Sequence, residues 1–106
     1  DIKFAHFLQP LMGIDDRQPL NNIEKELYKT KDFLDRKIYY KISRELLMQL
    51  RNDIEKKGHI CIRDISSTAF SESQDRLYED TGHLLSKGNE QVAIKIIDEL
   101  IKCEII

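Results

Sequence analysis

Residues 32–57, DFLDRKIYYKISRELLMQLRNDIEKK, set the terms on which the rest of the chain is read. Leu34, Ile38, Ile42, Leu46, Leu50 and Ile54 recur every fourth residue, with Tyr39 and Leu47 widening the row. At about 100° per residue such spacing drifts slowly round a helix, so the apolar surface is broad and slanting. Asp32 fits an N-cap, since its carboxylate can accept the free N–H groups of the first turn. Lys56 and Lys57 bring cations to the negative helix end, and Gly58 supplies a left-handed stop. Period and both ends agree on one long amphipathic helix that neighbours touch on more than one side.

The flanking segments are read as further helices. Ile2, Ala5, Leu8 and Met12, with Phe4, Phe7 and Leu11 beside them, give a short first helix that breaks near Pro10 and ends at Gly13. Asn21 or Asn22 caps a second helix with Ile23 and Leu27 facing inward, and residues 30–32 separate it from the long one. After Gly58, HICIRDI (59–65) alternates with a two-residue period. That fits an extended linker, or a strand that pairs with a second copy of the chain. SSTAF is a turn of helix, and residues 72–86 form another helix carrying Leu77, Tyr78, Leu84 and Leu85, weakened at Gly82. Asn89 caps the last helix, where Val92, Ala93, Ile96, Ile97, Leu100 and Ile101 line one face. The expected fold is therefore all-α: one domain over residues 1–106, a compact four- to five-helix bundle with room for a short extended segment at 59–64.

Composition narrows the function. The 106 residues are 41% hydrophobic and 34% charged, with a net charge of -2, which is a globular chain with no overall field favouring nucleic acid or anionic lipid. The chain contains no apolar run of membrane-spanning length, and its first residues have neither the basic start nor the apolar length of a signal peptide. It also lacks an initiator methionine and reads as a fragment or a processed chain. Cys61 and Cys103 are expected as two buried free thiols, which favours a cytoplasmic or nuclear location.

Candidate chemistry is sparse. His6, His59, His83, Cys61 and Cys103 show none of the paired spacings of a structural metal site, so no metal or other cofactor is expected. The acidic pairs Asp15–Asp16 and Glu79–Asp80 sit in hydrophilic surroundings and read as solvated surface. No phosphate loop, G-x-S-x-G or H-E-x-x-H is present, so neither an enzyme nor a small-molecule substrate is expected. Residues 58–88 have the rhythm of a degenerate helix-turn-helix, in which Ser73, Gln74 and Arg76, with Ser66 or Ser67, would meet bases. Asp75, Glu79 and Asp80 on the same segment oppose phosphate contact, which makes nucleic acid the lesser alternative. A positive stripe on the long helix offers the better surface. Lys37, Tyr40, Lys41, Arg44, Met48 and Arg51 combine cations with an aromatic ring and a methionine, a mixture enriched at protein interfaces. Phe4 and Phe7 could extend it. The expected role is a non-catalytic regulatory, adaptor or inhibitor-type domain whose partner is another protein or a second copy of itself.

Overall fold

The computed structural model describes residues 3–15, 17, 21–55, 59–71 and 73–106. The order of elements is β1 (Phe4–Leu8), α1 (Asn22–Lys29), α2 (Leu34–Ile54), β2 (Ile60–Asp64) and α3 (Ser86–Lys102). This corrects the all-α expectation: three helices accompany a two-stranded sheet. β1 and β2 run parallel, with Phe4 opposite Ile60 and Leu8 opposite Asp64. Parallel strands need a long crossover between them, and α1 and α2 supply it.

The segment expected as a first helix is β1. FAHFL is a short, largely apolar run of five residues, too short for periodicity to separate a strand from a turn of helix, and as β1 it is exposed at Phe4, Ala5 and His6. Pro10 disfavours helix in the residue before it, and HICIRDI provides the ladder partner. The two-residue period of 59–65 was therefore the true strand signal, with β1 as its mate. Ile2, also assigned to the first helix, lies outside the described residues, as do Asp16, Lys56, Lys57 and the Gly58 stop.

Side-chain alternation places a helix on each face of the sheet. Cys61 is disulfide-bonded to Cys103 at the end of α3, and Arg63 Nε lies 3.4 Å from Glu99 of α3. Asp64, on the opposite face, takes an ion pair from Arg44 of α2 at 3.1 Å. Arg63 Nη1 also reaches Glu55, just beyond α2, at 2.7 Å. The layers are thus α2, sheet, α3.

α1 begins where Asn21 was expected to cap it: Asn21 Oδ1 accepts the Glu24 N–H at 2.8 Å. Glu24 is fully buried, and it accepts hydrogen bonds from Asn21 Nδ2 at 2.6 Å and Arg17 Nη2 at 2.7 Å. Arg17 also donates to the Asp75 carbonyl, which ties the loop before α3 to α1. The break between α1 and α2 is present, and Asp32 Oδ1 accepts the N–H of Leu34, the first residue of α2.

α2 is the long helix expected, but turned about its axis. Leu34, Ile38, Ile42, Leu46 and Leu50 are all exposed, whereas Arg36, Tyr40, Arg44 and Leu47 face the protein. The inward face is polar because it meets backbone rather than an apolar layer. Tyr40 Oη donates to the Gln9 carbonyl at 3.0 Å, and Arg36 donates to two carbonyls. Arg44 donates to Ser66 and Ser67. These groups would each leave a polar partner without a mate if the helix rolled its leucines inward.

Residues 66–71 and 73–85 form turns and loops, with an isolated antiparallel bridge between Tyr78 and Leu84, where a helix was expected over 72–86. The hydrophobic core sits among these loops. Met12, Phe33, Ile65, Phe70, Leu77 and Tyr78 lie outside the helices and strands, and Val92 of α3 joins them. Gly88 lies inside the first turn of α3 rather than ending a helix before it, and Asn89 is helical rather than a cap. A Cβ on Gly88 would stand 2.7 Å from the Leu77 carbonyl, so only glycine permits this contact between α3 and the core loop.

The two cysteines are disulfide-bonded instead of free, 42 positions apart in sequence and with Cα atoms 5.8 Å apart. Closing a loop of that length removes denatured-state entropy equivalent to about 4 kcal/mol. Replacing both Cys61 and Cys103 by alanine is expected to lower unfolding free energy by about that amount in a urea titration. The reversed face of α2 gives a second expectation from the same measurement. Leu46 is 59% exposed and Leu47 8% exposed. Leu46→Asp should then cost about 0.5 kcal/mol or less, while Leu47→Asp should cost about 3 kcal/mol or more through its buried charge.

Candidate acid–base site

Asp80 and His83 stand three residues apart in the loop that leads into α3. Asp80 Oδ1 accepts the backbone N–H groups of Gly82 and His83, both at 2.8 Å, which closes a tight turn about the carboxylate. The same turn brings the imidazole back onto its own anchor: His83 Nδ1 lies 2.9 Å from Asp80 Oδ1 and 3.0 Å from Oδ2. A carboxylate with this many donors holds its charge. The Asp80 carboxyl is pushed below its ordinary 3.8, first by the Gly82 N–H and then by the His83 ring. His83 moves the other way, above its ordinary 6.5, because the hydrogen bond to Asp80 and the Asp80 charge favour the imidazolium, with Glu79 adding to them.

An ionised carboxylate can only accept, so Nδ1 carries the proton of the neutral ring. Nε2 then bears the lone pair and is the basic nitrogen. Among the described residues the hydrogen-bond partners of the ring are the two Asp80 oxygens.

His83 and Asp80 are both exposed, with side chains 75% and 54% accessible. The imidazole stands at the rim of an open hollow of about 450 Å³ lined also by Gln9, Pro10, Leu11, Tyr40, Leu84 and Asn89, and by Glu79 and Gly82 of its own loop. Gln9 to Leu11 follow directly on the carboxyl end of β1. In open parallel sheets the ligand crevice forms outside the carboxyl ends of the strands, and this cleft occupies that position. Burial raises the Tyr40 phenol above its ordinary 10.0, and its hydroxyl is held by the Gln9 carbonyl. A second hollow, about 590 Å³ and lined by residues such as Ser71, Gln74, Lys95 and Asp98, contains no histidine.

The residues nominated from sequence are dispersed by comparison. Of the stripe on α2, Lys37, Lys41 and Met48 are exposed, while Tyr40, Arg44 and Arg51 are engaged within the chain. Arg51 Nε lies 3.0 Å from Glu55, and Arg44 Nε lies 3.1 Å from Asp64. The helix-turn-helix is not formed, since the described residues 73–85, where its second helix was expected, are not helical. Ser73, Gln74 and Arg76 lie in a loop, and the Arg76 guanidinium donates to the carbonyls of Tyr78 and Glu79. Of the two acidic pairs, Asp16 lies outside the described residues, and Glu79 and Asp80 are both exposed. Asp15 accepts from the Tyr78 hydroxyl at 2.6 Å, and burial raises its carboxyl above the ordinary 3.8. Asp80 turns away from Glu79 to His83.

The sequence did contain the site's signal. Asp80, Gly82 and His83 form a D-x-G-H turn, and a carboxylate three residues before a histidine across a glycine can reach its ring. Reading residues 72–86 as a helix hid it, because a helical turn would give Asp80 no free N–H groups to accept.

Among the described residues no cluster of three or more His, Cys, Asp or Glu side chains could hold a metal ion, and no helix is long and apolar enough to cross a membrane. Comparison with protein-family models, with curated proteins and with solved structures gave no match.

Proposed function

We propose that the chain carries the base and its orienting acid for a hydrolytic reaction, with His83 as general base and Asp80 holding it. The observation that supports this reading is the two-oxygen contact of Asp80 with His83 Nδ1 at the cleft beyond β1. In a triad the orienting carboxylate selects the tautomer and stabilises the imidazolium that forms, and this contact does both. His83 Nε2 takes a proton from water, or from a hydroxyl nucleophile brought to the cleft, as that oxygen attacks. The same proton passes to the leaving group when the intermediate collapses.

The charge of the cleft bears on the substrate. Its lining includes Glu79 but no arginine or lysine, and the nearby Arg36 and Arg44 are committed to carbonyls, serines and Asp64. A phosphate would meet the Glu79 carboxylate with only the His83 imidazolium among the described lining residues to offset it, whereas an uncharged carboxylic ester meets no such repulsion. The reading is therefore ester hydrolysis, a departure from the expectation of a non-catalytic domain. The Cys61–Cys103 disulfide favours an oxidising compartment over the cytoplasm or nucleus.

A second reading, a docking domain, is favoured by the outward row of α2. Leu34, Ile38, Ile42, Leu46 and Leu50 form one exposed apolar strip, which monomeric proteins seldom present to water. Another protein or a second copy of the chain would cover it. In the second case sedimentation should show a dimer that Ile42→Asp separates, and a monomer at every concentration would remove that case.

The hydrolytic reading is tested with p-nitrophenyl acetate. His83→Ala should lower turnover by about 100-fold or more. Since the base acts when neutral and its pKa is raised, the rate should climb with pH through a midpoint above 6.5. Asp80→Asn removes the groups that raise it, so the midpoint should fall toward 6.5 while the maximum rate drops. Turnover unaffected by His83→Ala would refute general-base catalysis at this site.

A further inference from the structure

The turn that bears Asp80 and His83 is closed by its own Glu79 N–H to His83 carbonyl bond and braced at its start by Arg76, and a second guanidinium grips its tip from α2. Arg36, in the first turn of α2, directs Nη1 to the Thr81 carbonyl at 2.7 Å and to the Met12 carbonyl at 2.8 Å. Nη1 carries two hydrogens, one for each acceptor. Thr81 lies between Asp80 and His83, and Met12 lies in the segment that leaves β1. One side chain therefore joins the dyad's turn to the carboxyl end of the sheet.

Arg36 is itself fixed. Its guanidinium carbon lies 5.2 Å from the centre of the Phe33 ring, a distance at which a cation is attracted to the aromatic face. Phe33 is buried in the core and packs on Gly13, whose φ is +86° and where a Cβ would stand 2.5 Å from Phe33 Cγ. The ring can take this place only because residue 13 is glycine. The path from core to dyad thus runs through Phe33, Arg36 and the Thr81 carbonyl.

Among the described residues no carboxylate pairs with Arg36, and its hydrogen-bond acceptors are backbone carbonyls of two separate loops. We infer that Arg36 is a positioning residue, whose function is to hold the Asp80–His83 turn against the cleft beyond β1. This rests on the reading of His83 as a general base. Without the clamp the local Asp80–His83 contact forms only part of the time, because the turn that carries it samples several orientations. What Arg36 contributes is one orientation of the turn, and hence one place for Nε2 relative to bound substrate. A displacement of about 1 Å at a reacting group can cost about 100-fold in rate.

The test follows the His83 ring by NMR through a pH titration, beside turnover of p-nitrophenyl acetate, in the wild type, Asp80→Asn, Arg36→Ala and Arg36→Lys. Circular dichroism selects the variants that fold. Two roles for Arg36 predict opposite signs. If it acted only as a nearby positive charge, Arg36→Ala would raise the His83 midpoint, because imidazolium would lose a repelling neighbour. If it positions the turn, the midpoint falls toward 6.5 as the Asp80 contact becomes intermittent. In that case the Gly82 and His83 amide protons exchange faster, and kcat falls by about 10- to 100-fold with KM changed far less. Arg36→Lys, which keeps the charge and reaches a carbonyl, should recover part of both losses. A folded Arg36→Ala protein with an unmoved or raised midpoint, or with unchanged kcat, overturns the inference. Asp80→Asn separates the two levels: if it leaves the midpoint in place, the dyad reading itself fails. If it lowers the midpoint while Arg36→Ala does not, only the role of Arg36 fails.

Discussion

The parallel pairing of β1 with β2 is the constraint from which the other features follow. Two parallel strands cannot be joined by a tight turn, so the chain must travel back along the sheet, and α1 and α2 make that return. The same pairing puts both carboxyl ends on one side of the molecule. There Gln9 to Leu11 leave β1 and Ile65 to Phe70 leave β2, and the loop core of Met12, Phe33, Ile65, Phe70, Leu77 and Tyr78 assembles around them. The cleft and His83 sit at this end. Antiparallel strands would have separated the two exits and left no common edge for a site.

Buried polar groups then hold the loops in place. Arg17 joins Glu24 of α1 to the Asp75 carbonyl, Tyr78 joins its loop to Asp15, and Arg36 joins α2 to Thr81 and Met12. Each link is charge-assisted, the class of hydrogen bond that is shortest and strongest. They explain why α2 presents arginines and a tyrosine to the sheet and leaves a leucine and isoleucine row outside. A helix shows its apolar face to an apolar layer, but here the facing surface is a set of carbonyls, serines and Asp64. The cations match it better than Leu46 or Ile42 could.

This division explains what could be read from sequence. α1 and α2 were legible because a cap and a helical period are local: Asn21 and the spacing from Leu34 to Ile54 need no knowledge of the rest of the fold, although α2 is capped at Phe33 and not at Asp32. β1 was not, since five apolar residues become a strand only in the presence of β2, which lies more than fifty residues away. The rotation of α2 was likewise invisible, because the hydrophobic pattern alone does not record the loop carbonyls that claim Arg36 and Tyr40. The disulfide depends on the approach of α3 to β2. Asp80 and His83 were readable as a pair only if residues 72–86 formed a loop, and Leu77, Tyr78, Leu84 and Leu85 imitate a helical face. Those side chains are instead core contacts made by an irregular segment.

Everything functional in this account depends on Asp80 fixing the tautomer of His83, and nitrogen-15 NMR of the imidazole reads that state directly. The measurement belongs above the ring's titration midpoint, where imidazole is neutral. In water the neutral ring favours the form with the proton on Nε2. The structure predicts the reverse, with the proton on Nδ1 facing Asp80 and the lone pair on Nε2 facing the cleft. A His83 spectrum showing mainly the Nε2-protonated form would contradict it, because the lone pair would then sit on Nδ1 beside Asp80 and not on the nitrogen assigned as the base.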